Sequence, residues 1–246
     1  MKLTLEKNSV CSGNLILVNG DFPLEMEMAE DLACVSPEIK LQREARTMLN
    51  QVLTEIGSAD RIVPVSGYRP REEQTEIYES SLRENGAEFT RKFVALPGHS
   101  EHETGLAIDL ALNQEVIDFI CPDFPYDGIC GKFRKLAPRF GFVERYPKGK
   151  ENITGIAQEP WHFRYVGYPH SEIMVSGNLT LEEYIACLRH FSGYSKCLRW
   201  RNGFEIFYVP AGEGTELDLP EDCQYEVSGN NVDGCIVTLR RKRNGD

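Results

Sequence analysis

Apolar and polar positions along this 246-residue chain change their period several times, and each change predicts an element. Leu41, Ala45, Met48, Leu49, Val52, Leu53 and Ile56 recur at helical spacing after Ser36-Pro37, a combination suited to an N-cap and first turn, and Gly57 stops the run. Ile62-Val63-Pro64-Val65 predicts a short strand, placed at a sheet edge because its proline cannot donate to a ladder. Pro70 then opens a second helix that carries Glu72 and Glu73 in its first turn and runs to Asn85-Gly86.

From Leu106 the period drops to two. Leu106, Ile108, Leu110 and Leu112 share one face, which predicts core, while Ala107, Asp109 and Ala111 share the other. That second face sets one carboxylate among small side chains and leaves room beside it. Trp161, Phe163 and Tyr165 mark the buried face of a further strand, with His162 and Arg164 opposite. Thr180-Leu181-Glu182-Glu183 is a capping box that opens a helix through Leu188, ending near Gly193. Beyond it the texture becomes β: Cys197–Arg201 and Phe204–Val209 flank Asn202-Gly203, a type I′ hairpin signal, and further strands fall near Tyr225–Val227 and Cys235–Leu239. The chain thus reads as α+β, a central antiparallel sheet flanked by helices over residues 1–193, with a small antiparallel β appendage over 194–246.

Composition narrows the function. A hydrophobic content of 41% and a charged content of 26% are ordinary for a globular protein. The net charge of −11 argues against nucleic acid or an anionic membrane surface as partner, since both would repel it. The N-terminal residues Met1–Lys7 contain no apolar signal-peptide core, and no apolar run is long enough for a membrane helix, so a cytoplasmic location is expected. Eight scattered cysteines without a Cys-x-x-Cys pair read as small buried hydrophobes in a reducing compartment.

Two short stretches carry the chemistry. Ser100-Glu101-His102-Glu103-Thr104-Gly105-Leu106-Ala107-Ile108-Asp109 and Glu159-Pro160-Trp161-His162 supply two imidazoles, a carboxylate ligand and a spare carboxylate. A catalytic zinc site requires such a set: three protein ligands, an open position and a nearby base. His102, Asp109 and His162 are assigned as the ligands and Glu159 as the base, with His99 left to the loop. Glu159 and His162 are three apart and would face opposite ways in a regular strand, so the assignment demands a break around Pro160. Singly, each residue has an ordinary explanation, as a hydrogen-bonded structural histidine, a turn cap or a solvated carboxylate; the two patterns together do not.

Ser-x-His-x-x-Gly-x-Ala-x-Asp (100–109), Glu-Pro-Trp-His (159–162) and Ser-Gly-Tyr-Arg (66–69) resemble the signature of the zinc D-alanyl-D-alanine peptidases. That group contains the VanX dipeptidases, the VanY carboxypeptidases and the bifunctional VanXY enzymes of glycopeptide resistance. The resemblance spans roughly residues 60–167. It implies Zn2+ held by His102, Asp109 and His162, Glu159 as catalytic base, and Arg69 beside the scissile carbonyl. It also implies a small peptide substrate ending in D-Ala, whose carboxylate needs donors; Ser100, Gln74 and, one turn on, Tyr78 are the candidates. Layout favours the bifunctional type, acting on D-Ala-D-Ala and on precursors that end in D-Ala. Two rivals remain: an L-alanyl-D-glutamate-type cell-wall endopeptidase of the same architecture, and a non-catalytic zinc-stabilised binding module, which would have no need of Glu159.

Overall fold

A computed structural model describes residues 2–26, 28, 30–212 and 214–241. From the N-terminus, β1 (Lys2–Leu5) is followed by β2 (Leu32–Cys34), β3 (Lys40–Gln42) and α1 (Arg43–Glu55). Next come β4 (Ile62–Ser66), α2 (Arg71–Glu84), α3 (Gly86–Phe93) and β5 (Ala107–Leu112). The middle of the chain forms α4 (Gly128–Leu136), β6 (Phe142–Tyr146), α5 (Glu151–Thr154), β7 (Glu159–Tyr165) and α6 (His170–Gly177). It ends in α7 (Leu181–Leu188), β8 (Leu198–Trp200), β9 (Phe204–Pro210), β10 (Thr215–Asp218), β11 (Cys223–Gly229) and β12 (Gly234–Arg241).

Two compact units result, Val18–Thr180 and the pair of segments Met1–Leu17 and Leu181–Asp246. The expected boundary between 193 and 194 therefore moves to 180/181, and the N-terminal segment joins the C-terminal unit. The physical reason is pairing across almost the whole chain: β1 lies antiparallel to β10, with Lys2 opposite Asp218 and Leu5 opposite Thr215.

In Val18–Thr180 a four-stranded antiparallel sheet has the order β4-β5-β7-β6. The proline strand β4 sits at its edge, as the missing N–H of Pro64 requires. Leu106, Ile108 and Leu110 and, from β7, Trp161, Phe163 and Tyr165 enter one core with Leu41, Ala45, Leu49 and Val52. Alternation along β5 and β7 thus separates core side chains from Asp109 and His162 on the opposite face.

One expected element is corrected here. The helix read from Ser36-Pro37 begins only at Arg43, because residues 40–42 pair with β2. Leu41 still reaches the core, but from a strand, so its place in the helical series was coincidental. The C-terminal reading fared differently: β8 and β9 close a hairpin with Trp200 opposite Phe204, and Asn202 and Gly203 both take the left-handed conformation at φ 60° and 77°. The terminal unit's sheet runs β11-β12-β9-β8 over a core of Leu5, Phe207, Val209, Leu219, Val237 and Leu239.

Candidate active site

Register across the sheet builds the site. Ser66 pairs with Asp109, and Asp109 pairs with His162, so three strands place these residues in one row. His102 arrives from a different direction, on the 3-10 turn Glu101–Thr104. Gly105 ends that turn at φ 69°, where a side chain would be strained and would also meet Leu32. Gly67 is required for another reason: a Cβ there would lie 2.4 Å from the Lys40 carbonyl oxygen. Its own carbonyl accepts from His102 Nδ1 at 2.7 Å, which turns Nε2 of that ring toward the row.

The break demanded at Pro160 is present. Glu144 pairs with Phe163 while Tyr146 pairs with Glu159, so two residue steps on β6 oppose four on β7. This bulge lets Glu159 and His162 share one face, with Glu159 Oε2 3.7 Å from His162 Nδ1.

His102, Asp109 and His162 converge, with ligand atoms all within 4.8 Å of one another. Asp109 lies between the rings: Oδ2 is 3.1 Å from His102 Nε2 and Oδ1 is 3.0 Å from His162 Nδ1. Asp109 Oδ1 is buried with no well-formed hydrogen bond, and the donors are two imidazole nitrogens and a carboxylate oxygen. Buried, incompletely satisfied donors of these types, aimed at one point, fit a divalent cation.

Electrostatics agree with the geometry. Burial, reinforced by the charge of Arg69, pushes His102 down to about 4. Burial also opposes a charge on His162, but its contacts with Asp109 and Glu101 prevail and raise it to about 9. Asp109 is held well below the usual carboxylate range, the two histidines overcoming its desolvation. Glu159 goes the other way: burial first, then repulsion from Asp109 and Glu101, lifts it to about 8 against the pull of His162 and Arg69. Two carboxylates within one cluster are thus shifted in opposite directions by their surroundings.

Arg69 follows β4, and its Nη2 lies 3.8 Å from Asp109 Oδ2. Gln74 is buried and tied at both ends of its amide, accepting from Arg69 Nη1 at 3.1 Å and donating to the Ala95 carbonyl at 2.8 Å. Ser100 is buried in the pocket wall, and its hydroxyl does not cap the turn that follows. Tyr78 does not line the pocket; Ile77 does, because at 100° per residue the adjacent position turns toward it. His99 stays outside and bonds to the Asn19 carbonyl. Trp161 both packs in the core and borders the pocket. Phe93, Val94, Phe119, Ile120 and Ile156 supply apolar wall to the pocket. No sequence signal pointed to these, since their segments reach the site only through tertiary packing.

Fold and site together fit a metallopeptidase-type centre: a His-Asp-His trio drawn from two strands and a 3-10 turn, with a buried carboxylate and a guanidinium around the same cavity. Comparison with known proteins resolves the class. Residues 38–168 match the family model of the VanY D-alanyl-D-alanine carboxypeptidases, and the chain belongs to that family of peptidases. The bifunctional D-Ala-D-Ala dipeptidase and carboxypeptidase VanXYC of Enterococcus gallinarum is 42% identical over 175 residues, 69% of this chain and 92% of that protein. The crystal structure of the vancomycin-resistance D,D-dipeptidase VanXYg with a D-Ala-D-Ala phosphinate analogue superposes with a TM-score of 0.95 at 49% identity, covering 98% of this chain and 99% of that one. A mutant of the D,D-pentapeptidase VanY from the VanB-type resistance cassette, in complex with Zn(II), gives a TM-score of 0.60 at 29% identity over 70% of this chain and 98% of that one.

Proposed function

We propose that this chain is a zinc-dependent D,D-peptidase that hydrolyses D-Ala-D-Ala and removes the terminal D-Ala of peptidoglycan precursors in the cytoplasm, as in glycopeptide resistance. The observation that carries the reading is the buried His102–Asp109–His162 trio with Glu159 3.7 Å from one of its rings. The two relatives named above that act on D-Ala-D-Ala support the substrate, and the Zn(II) complex supports the metal. Among the described residues no helix is long and apolar enough to cross a membrane, and the eight cysteines are free thiols; both accord with a cytoplasmic peptidase.

Zinc held by His102 Nε2, Asp109 and His162 Nδ1 would act as a Lewis acid and bring the pKa of a coordinated water toward about 7. The chain's own residues do the rest. Glu159 takes a proton from the water that attacks the scissile carbonyl carbon and delivers it to the amine nitrogen as the C–N bond breaks. Buried 3.7 Å from His162 Nδ1, its carboxylate is placed to accept and return that proton. Arg69, with Nε buried and unpartnered among the described residues, offers donors to the carbonyl oxygen as negative charge develops there. Gln74 holds the guanidinium in place and retains a second amide N–H for the substrate. Ser100 presents a hydroxyl to the substrate's terminal carboxylate.

The deciding experiment measures turnover of D-Ala-D-Ala, of a pentapeptide precursor and of intact sacculi side by side with zinc-reconstituted protein. Release of D-Ala from both small substrates is the expected result. Cleavage of sacculi alone would replace this reading with the wall endopeptidase, and zinc binding without any hydrolysis would replace it with the binding module.

A further inference from the structure

Glu101 lies inside the first motif, yet neither the metal trio nor the proton transfer uses it. Its side chain is fully buried, and so are those of the two arginines that grip it. Arg145 Nε on β6 donates to Glu101 Oε1 at 2.8 Å, and Arg164 Nη1 on β7 lies 2.9 Å from the same oxygen. The other oxygen, Oε2, is directed elsewhere: it faces His162 Nε2 at 3.6 Å, just beyond hydrogen-bond distance, and neither atom has a hydrogen-bond partner among the described residues. The opposite edge of that imidazole, Nδ1, faces Asp109 at 3.0 Å. The ring is therefore held between two carboxylates, one on each nitrogen.

Three fully buried charges in one cluster are a poor way to stabilise a fold, because desolvation offsets most of the Coulomb gain. Fixing the orientation of a neighbour is a better account. Ligating histidines are commonly steered by an acceptor on the nitrogen that does not bind the metal, and losing that acceptor weakens the site.

We propose that Glu101, braced by Arg145 and Arg164, is a positioning residue for His162: its Oε2 accepts from Nε2–H and presents Nδ1 to the metal beside Asp109. This rests on the zinc-peptidase reading. Arg145 and Arg164 hold the carboxylate from two adjacent strands, so the brace moves with the sheet that also carries Asp109 and His162. The turn bearing Glu101 and His102 is thereby keyed to the same sheet, and the two ligands from different segments share one frame.

The test compares Glu101→Gln with Glu103→Gln. Glu103 is buried in the same turn but bonds to Arg71 and to the Gly98 N–H, away from the ligands. Zinc affinity is read by competition with a chromophoric chelator, alongside kcat and KM. Glu101→Gln is expected to lose about ten- to hundredfold in zinc affinity and to lower kcat with little change in KM, whereas Glu103→Gln keeps zinc affinity within about twofold. Equal affinity losses in the two variants, or none in Glu101→Gln, would overturn the proposal. Should Glu101→Gln not fold, the wild-type zinc-loaded enzyme decides: with five histidines in the chain, histidine-selective 15N NMR can identify the protonated nitrogen of His162. A proton on Nε2 is expected, and a proton on Nδ1 with metal on Nε2 overturns the assignment. Failure of the underlying reading would look different, as wild-type protein that binds no stoichiometric zinc.

Discussion

Glu101 and Glu205 are both buried glutamates that each meet two arginines, one in each compact unit. The partners of Glu205, Arg199 and Arg241, are 81% and 52% exposed, while those of Glu101 are 0% exposed. In the terminal unit a buried carboxylate is relieved at the surface, where water screens the pair and its worth is small. In the catalytic unit charge is sealed in, and the sealed charges cluster around one cavity: Arg69, Glu101, His102, Asp109, Glu159 and His162 all border it. Buried charge is thus concentrated in the unit that holds the candidate site, while the terminal unit buries a single charged side chain, Glu205, among the described residues.

The sharpest way to break that contrast is Asp109→Ala, which should leave less than stoichiometric zinc by metal analysis and abolish measurable D-Ala release. Full zinc retention would show that the cluster is a structural ion network after all. Glu159→Gln should keep a full equivalent of zinc yet lose about 10²–10⁴ in kcat, as removal of a general base does. Arg69→Ala should follow with about 10²–10³ in kcat and a smaller change in KM, the pattern of a group acting in the transition state.

A milder effect appears in the metal-free protein as pH changes. Glu159 is raised from its ordinary 4.5 to about 8 and His162 from 6.5 to about 9. Groups raised on folding stabilise at low pH, so the Glu159 contribution disappears as pH rises through about 8 and that of His162 through about 9. His102, lowered to about 4, contributes in the opposite sense, above 6.5 and decreasingly as pH falls toward 4. The melting temperature of chelator-treated protein should thus decline between pH 6.5 and 9, and Glu159→Gln should flatten that decline. The smallest change belongs to the other unit: Glu205→Gln should cost about 1 kcal/mol in urea titration, with zinc content and turnover untouched.

Much of the site was legible because its residues sit where a period changes. The alternation of residues 106–112 separated Asp109 from the core, and the i,i+3 spacing of Glu159 and His162 required a bulge that β7 contains. The Glu101–Arg145 pair was not legible, since 44 residues separate the partners and nothing in the segment around Arg145 marks it as one. The hairpin of β2 and β3 was hidden for a related reason: Leu41 fitted a helical series, and only pairing with a strand at residues 32–34 reveals its backbone state. Likewise β1 declared no partner, because β10 lies at the other end of the chain. Local periodicity reports which face of a segment is buried, and not which distant segment covers it.

The bulge in β7 has a consequence for how such a centre can vary. Glu159 and His162 stand on one seven-residue strand, so the gap between them is set by covalent connectivity and a ladder rather than by any hinge. Loops around the cavity can lengthen or shorten without disturbing that gap. Gain or loss of a single residue between positions 159 and 162 would swing one of the two side chains into the hydrophobic interior. Half of the centre is in effect a single indivisible cassette, one that can be moved whole onto another antiparallel sheet but not retuned in place.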